Sequence, residues 1–117
     1  MGKPSPYYEM KRVLGVIPST ASGRKDASAL IYTGATLLTG VKVVTNGTDN
    51  VTVVVYDNTE GSGKVVDEWT VTGSENYGGT NYGKSPVIID NGIYVTVSGT
   101  GGKYYVFYFT PTYELAL

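Results

Sequence analysis

The sequence predicts an all-β fold, an antiparallel β-sandwich or jelly-roll-like barrel of about seven to eight short strands with an extended N-terminal arm. Three observations carry this. From Ala29 onward apolar residues recur with a period of two, in runs rich in Val, Ile, Thr and Tyr. Clusters of Gly, Asn, Asp and Ser separate the runs at roughly 8–12-residue intervals. After residue 29 no segment sustains apolar residues at i, i+3, i+4 and i+7, so little helix is expected. The expected division is an arm over residues 1–28 and a β-sandwich domain over residues 29–117.

The arm comes first. Pro4, Pro6 and Pro18, with the Ser/Thr/Gly-rich "STASGRKDAS", argue for extended backbone. Tyr7, Tyr8, Met10, Val13, Leu14, Val16 and Ile17 make it too apolar for a solvated linker. Two readings stand: an edge strand plus a loop on its own domain, or an arm that docks on a neighbouring subunit. Val13–Ile17 is broken by Gly15 and stops at Pro18, too short for the apolar core of a secretory signal. No run approaches the length of a membrane span.

Strands are expected at Leu30–Thr33, Leu37–Thr45, Val51–Tyr56, Lys64–Thr72, Pro86–Ile89, Ile93–Ser98 and Lys103–Thr110. Between them, "NGTDN" (46–50) supplies Gly47 where positive φ is expected, and "DNTEGSG" (57–63) offers Asp57 and Asn58 as side-chain caps. Asn91-Gly92 between apolar runs suits a type I′ hairpin turn, and "SGTGG" (98–102) a looser loop. Consecutive hairpins would pair neighbouring strands antiparallel.

The run "KYYVFYF" (103–109) poses a problem. Tyr104, Val106 and Tyr108 share one face, and Tyr105, Phe107 and Phe109 share the other. One face can pack on an opposite sheet; the second needs the arm, the 73–85 loop or another subunit to cover it. Tyrosine suits an interface, because its ring buries while its hydroxyl keeps a polar partner. Tyr104, Val106 and Tyr108 are therefore the expected subunit interface, against the alternative of a solvated outer sheet.

Catalytic chemistry finds little support. The chain has no His and no Cys, so Ser–His and Cys–His nucleophiles, disulfides and thiolate metal sites are excluded. Asp67 and Glu68 are adjacent in a strand and point to opposite faces. "DNTEGSG" lacks the alternating ligands and closing Glu of a calcium loop. "GSGK" and "GTGGK" lack the spacing and following helix of a phosphate-binding loop. The two N-x-T triplets, at Asn46 and Asn50, would be glycan acceptors only on a eukaryotic secretory route, and read as turn and strand residues. No catalytic residue, metal or cofactor is expected.

Charge is nearly balanced at -1 overall but unevenly placed. Residues 1–28 carry five basic and two acidic side chains, a net of +3, and residues 29–117 carry four against eight, a net of -4. No global field favours a polyanion, so nucleic acid is not an expected partner. Nor is a membrane. The long segment "GSENYGGTNYGKS" (73–85) repeats Asn-Tyr-Gly, and its Tyr77 and Tyr82 are candidate contact residues. They can self-pack, meet a protein, or stack on a sugar. Trp69 is expected in the core, sharing a face with Val65 and Val71.

"LLTGVKVVTNGTDNVTVVVYDNTEGSGKVV" followed by "GIYVTVSGTGGKYYVFYF" resembles the small β-sandwich structural proteins of tailed-bacteriophage virions, over roughly residues 37–109. The resemblance implies a non-enzymatic virion component assembled in the host bacterial cytoplasm. It implies a capsid decoration or cement protein that binds the major capsid protein, commonly as a trimer. A head–tail joining or tail role is the alternative, and a carbohydrate-binding or adhesin module is the alternative from another class. In the capsid reading the basic arm contacts an acidic lattice neighbour through Tyr7, Tyr8, Met10, Lys11, Arg12 and Leu14.

Overall fold

The computed structural model describes residues 19–109, so the arm-contact residues Tyr7, Tyr8, Met10, Lys11, Arg12 and Leu14 lie outside the described residues. Among the described residues nine strands form: β1 (Thr20–Ala21), β2 (Ala29–Thr33), β3 (Thr36–Val44), β4 (Val51–Asp57), β5 (Val65–Val71), β6 (Tyr77–Asn81), β7 (Val87–Ile89), β8 (Gly92–Ser98) and β9 (Lys103–Phe109). A single 3-10 turn, Gly73–Glu75, is the only helical element among the described residues. The strands make two packed antiparallel sheets. Sheet A has the order β1-β9-β3-β6, with β7 also on β3, and sheet B has the order β2-β8-β4-β5.

The predicted sandwich is present, with two strands that periodicity did not mark. One is β1, too short to show a period. The other is β6, whose "YGGTN" is built from weak strand formers and is held by pairing to β3 from Gly40↔Asn81 to Val44↔Tyr77. The segment expected as a long loop over 73–85 is therefore a turn, a strand and a short connection.

Connectivity differs from the expected series of hairpins. β4–β5 is a hairpin within sheet B, but β1 to β2, β2 to β3, β3 to β4, β5 to β6, β7 to β8 and β8 to β9 each cross from one sheet to the other. Asn91-Gly92 is one of these crossings, and neither residue takes the positive φ that a type I′ turn requires. Glycine and asparagine permit a tight reversal whichever sheet the next strand joins, so turn composition cannot separate a hairpin from an arch. At "NGTDN" Gly47 does take positive φ, 91°, and the Asn46 side-chain oxygen accepts the N–H groups of Thr48 and Asp49 at 2.8 Å each.

The core lies between the sheets. Sheet A contributes Leu38, Val41, Val43, Ile89, Tyr104 and Val106, and sheet B contributes Val51, Val53, Val55, Val71, Ile93 and Val95. A register shift between Leu38 and Gly40 keeps Leu38, Val41 and Val43 all facing inward, although strict alternation would turn Leu38 out. Opposite them, Val43↔Tyr104, Val41↔Val106 and Leu38↔Tyr108 are paired, which fixes the inward face of β9. Tyr108 meets Tyr32 of sheet B at 5.6 Å between ring centres.

Residues 20–25, assigned to the arm from sequence, run along β9, and Ser28 accepts the Val97 N–H of β8. Thr20↔Tyr108 and Ala21↔Phe107 pair, Ser22 exchanges two bonds with Val106, and Lys25 exchanges two backbone bonds with Tyr104. The physical reason is the outer edge of β9: its N–H and C=O groups need partners, and the upstream chain supplies them.

Candidate functional site

The outer face of sheet A is the candidate. Cross-strand pairing resolves it into four rungs: Leu37, Ile88 and Phe109; Gly40, Asn81 and Phe107; Lys42, Gly79 and Tyr105; Val44, Tyr77 and Lys103. Every rung carries an aliphatic or aromatic side chain. Ile88 and Tyr77 are 68% and 66% exposed. The outer face of sheet B is more hydroxylated: Thr52, Thr70 and Ser98 share a rung, with Thr52 and Thr70 hydroxyls 3.0 Å apart, and Val54 sits between Glu68 and Thr96.

Within sheet A's outer face lies a groove of about 850 Å³. Gly40 forms part of its floor, and a Cβ there would stand 3.1 Å from the Thr80 carbonyl oxygen and 3.6 Å from the Phe107 ring. Phe107 and Tyr77 are among its walls, and Lys42 and Lys84 add positive charge. Lys42 Nζ sits 5.6 Å from the centre of the Tyr77 ring, a cation–π distance. Ser19 stands at the margin, its hydroxyl 2.6 Å from that of Thr39. Such a surface can hold an extended apolar segment. Among the described residues no three Asp, Glu, His or Cys side chains come together as a metal-binding group.

The sequence-derived site residues separate. Tyr104 and Val106, expected at a subunit interface, are fully buried inside this one chain and are core residues. Their face of β9 points at sheet B. The Tyr104 hydroxyl donates to the Ala27 carbonyl at 2.8 Å, and burial, with lesser repulsion from Tyr94 and Asp26, pushes its pKa up to about 12. Tyr108 packs against the same core. The face left over is the one carrying Tyr105 and Phe107. The alternation holds, but nothing in it says which side turns inward; that depends on Val41 and Val43 across the pair.

Tyr82 also packs on the core rather than reaching outward. Its hydroxyl donates to Asp67 at 2.7 Å, and burial and then this bond hold the phenol well above its ordinary pKa. Trp69 packs against the core beside Val71, as expected, and donates to the Thr80 hydroxyl at 3.0 Å. Val65 does not share its face usefully: a register shift between Val55 and Tyr56 turns it outward, half exposed. Of the two tyrosines considered for a sugar, Tyr77 alone keeps a largely exposed ring.

Sequence reasoning missed Gly40, Phe107, Ile88 and Leu37 as a connected surface. The usable signal was "LLTG": two leucines on opposite faces, followed by a glycine where the outer face needs no side chain. No family model, curated protein or solved structure matches this chain.

Proposed function

We propose that this chain is a non-enzymatic structural protein of a tailed-bacteriophage virion, assembled in the host bacterial cytoplasm, that decorates or cements the capsid by docking on the major capsid protein. The observation that carries the proposal is the outer face of sheet A, apolar or aromatic in every rung and without a second layer among the described residues. Contiguous apolar surface of this kind is characteristic of a surface used for association. The sequence resemblance over residues 37–109 supplies the virion context. A repeated lattice multiplies a weak contact through avidity, so a modest face suffices when copies assemble together, as a trimer in this proposal.

The test is co-sedimentation with expanded capsids of the phage that encodes the chain, comparing the native protein with Ile88→Glu. Ile88 is 68% exposed, so the substitution should leave stability within about 0.5 kcal/mol. The expected result is capsid binding by the native protein and its loss in the variant. Failure of the native protein to sediment with capsids, or a variant that binds equally well, overturns the proposal. Light scattering on the free protein reads whether the trimer forms before or on the lattice.

A further inference from the structure

We infer that the groove on the outer face of sheet A is the seat of the chain's own segment Val13–Ile17. This does not depend on the virion role, and the rung of Leu37, Ile88 and Phe109, where Ile88→Glu tests that role, lies outside the groove lining and stays open.

The first support is where the chain arrives. Ser19 lines the groove and is fixed there twice, by its 2.6 Å contact with Thr39 and by the pairing of the next residue, Thr20, with Tyr108. Residues upstream of Ser19 therefore start at the groove's margin. A segment tethered beside its site meets it at a high effective concentration, typically in the millimolar range, which favours the same chain over a second copy.

The second support is chemical match. "VLGVI" is five residues without a charge, and it lies immediately before Pro18. The groove is walled by Phe107 and Tyr77, with the backbone of Gly40 in its lining. Ile17 precedes a proline, which biases it toward extended backbone, the shape a sheet face accommodates. The charged residues Lys11 and Arg12 lie farther upstream.

The third support is length. Five extended residues span about 17 Å at ~3.3 Å each, and the step from β9 across β3 to β6 is about 10 Å. The segment is long enough to cross the groove, and Lys11 and Arg12 then emerge past the rim that Lys84 marks. The competing occupant is residues 110–117, "TPTYELAL". It is disfavoured because Phe109, from which it leaves, is not part of the groove lining whereas Ser19 is. Seating Val13–Ile17 would anchor the root of the arm and present residues 1–12 in a defined direction.

The absence of native cysteine makes the test clean. A nitroxide spin label is attached at Lys84→Cys, an exposed rim position, in the otherwise full chain. Amide signals of residues 13–17 are then followed by NMR. Strong broadening of 13–17 in the singly labelled protein is expected. It should be absent when spin-labelled, NMR-silent Lys84→Cys protein is mixed with isotope-enriched native protein, which carries no cysteine. Broadening that appears in the mixture shows a segment exchanged from a second copy and overturns the assignment to the same chain. Broadening at 110–117 in place of 13–17 gives the groove to the other segment, and no broadening in either leaves it without a seat for the chain; both refute the inference. As an independent reading, Leu14→Asp with Val16→Asp should speed amide exchange across 13–17 by roughly tenfold or more, while β8 stays protected. Unchanged exchange across 13–17 also refutes it.

Discussion

Asp57 offers a sharp test of how the two sheets are tied. It closes β4, is 4% exposed, and accepts the N–H of Asn91 at 2.8 Å and of Asp90 at 3.0 Å. Those donors sit where the chain leaves β7 in sheet A for β8 in sheet B. Asp57→Ala strips both of their acceptor. A hydrogen bond to a charged group contributes about 1.5–3 kcal/mol, and water can partly replace it, so the loss should be about 3 kcal/mol. Asp57→Asn keeps one acceptor oxygen and should lose roughly half of that. The assay is urea denaturation at pH 7, read as a lower midpoint at unchanged slope.

The pH dependence is a second reading of the same contact. Burial alone would raise the Asp57 pKa, but the backbone N–H groups of Asp90, Asn91 and Gly92, helped by Lys64, outweigh it and hold the pKa below the ordinary value of 3.8. Folding thus favours the ionised form. Its contribution is complete above the unfolded-state value and is lost as pH falls through the lower folded-state value. The gap between native protein and Asp57→Asn should be constant above about pH 5 and shrink in more acidic solution. A gap that persists undiminished to about pH 2, or an Asp57→Ala protein within about 0.5 kcal/mol of native, would refute the assigned role.

Tyr104→Ala should destabilise the folded chain by about 3–5 kcal/mol in denaturation experiments, because a fully buried aromatic is removed from the core. If it only weakened self-association, the inward placement of that face would be wrong. Tyr82→Phe should lose about 1 kcal/mol with its bond to Asp67, and ultraviolet titration should show one fewer phenol ionising late. Gly79→Ala should cost about 1–3 kcal/mol, since φ there is 129° and a Cβ would overlap the Val41 carbonyl oxygen; slow amide exchange along β6 should vanish first. An unchanged exchange pattern would contradict that strain.

The alternation in "VTVVVYD" and "GIYVTVS" puts Val51, Val53, Val55, Ile93 and Val95 on the more strongly apolar side of each strand, and that is the side the fold buries. "KYYVFYF" has two strong sides, and the inward one is set by partners distant in sequence. The β6 segment carries almost no propensity of its own; its glycines fit against Val41 and Val71 only once β3 and β5 exist. Sheet membership was hidden for the same kind of reason. Asn91-Gly92 reverses the chain as expected, while the carboxylate of Asp57, more than thirty residues upstream, ties the reversal to the end of β4. The candidate groove depends on Gly40 being opposite Phe107, a pairing that no local pattern encodes.

The placement of β9 between β1 and β3 bears on how this chain matures during translation. Seven of the registered partners of β3, from Leu37 to Val44, come from β9, so synthesis must reach Phe109 before that side of β3 is satisfied. Until then a nascent chain offers the ribosome's surroundings an unpaired strand edge and an uncapped row of valines. Pairings of such large sequence separation are slow to form and leave intermediates prone to clumping. A product halted anywhere before residue 103 should accumulate as insoluble material rather than as a partly folded, soluble domain.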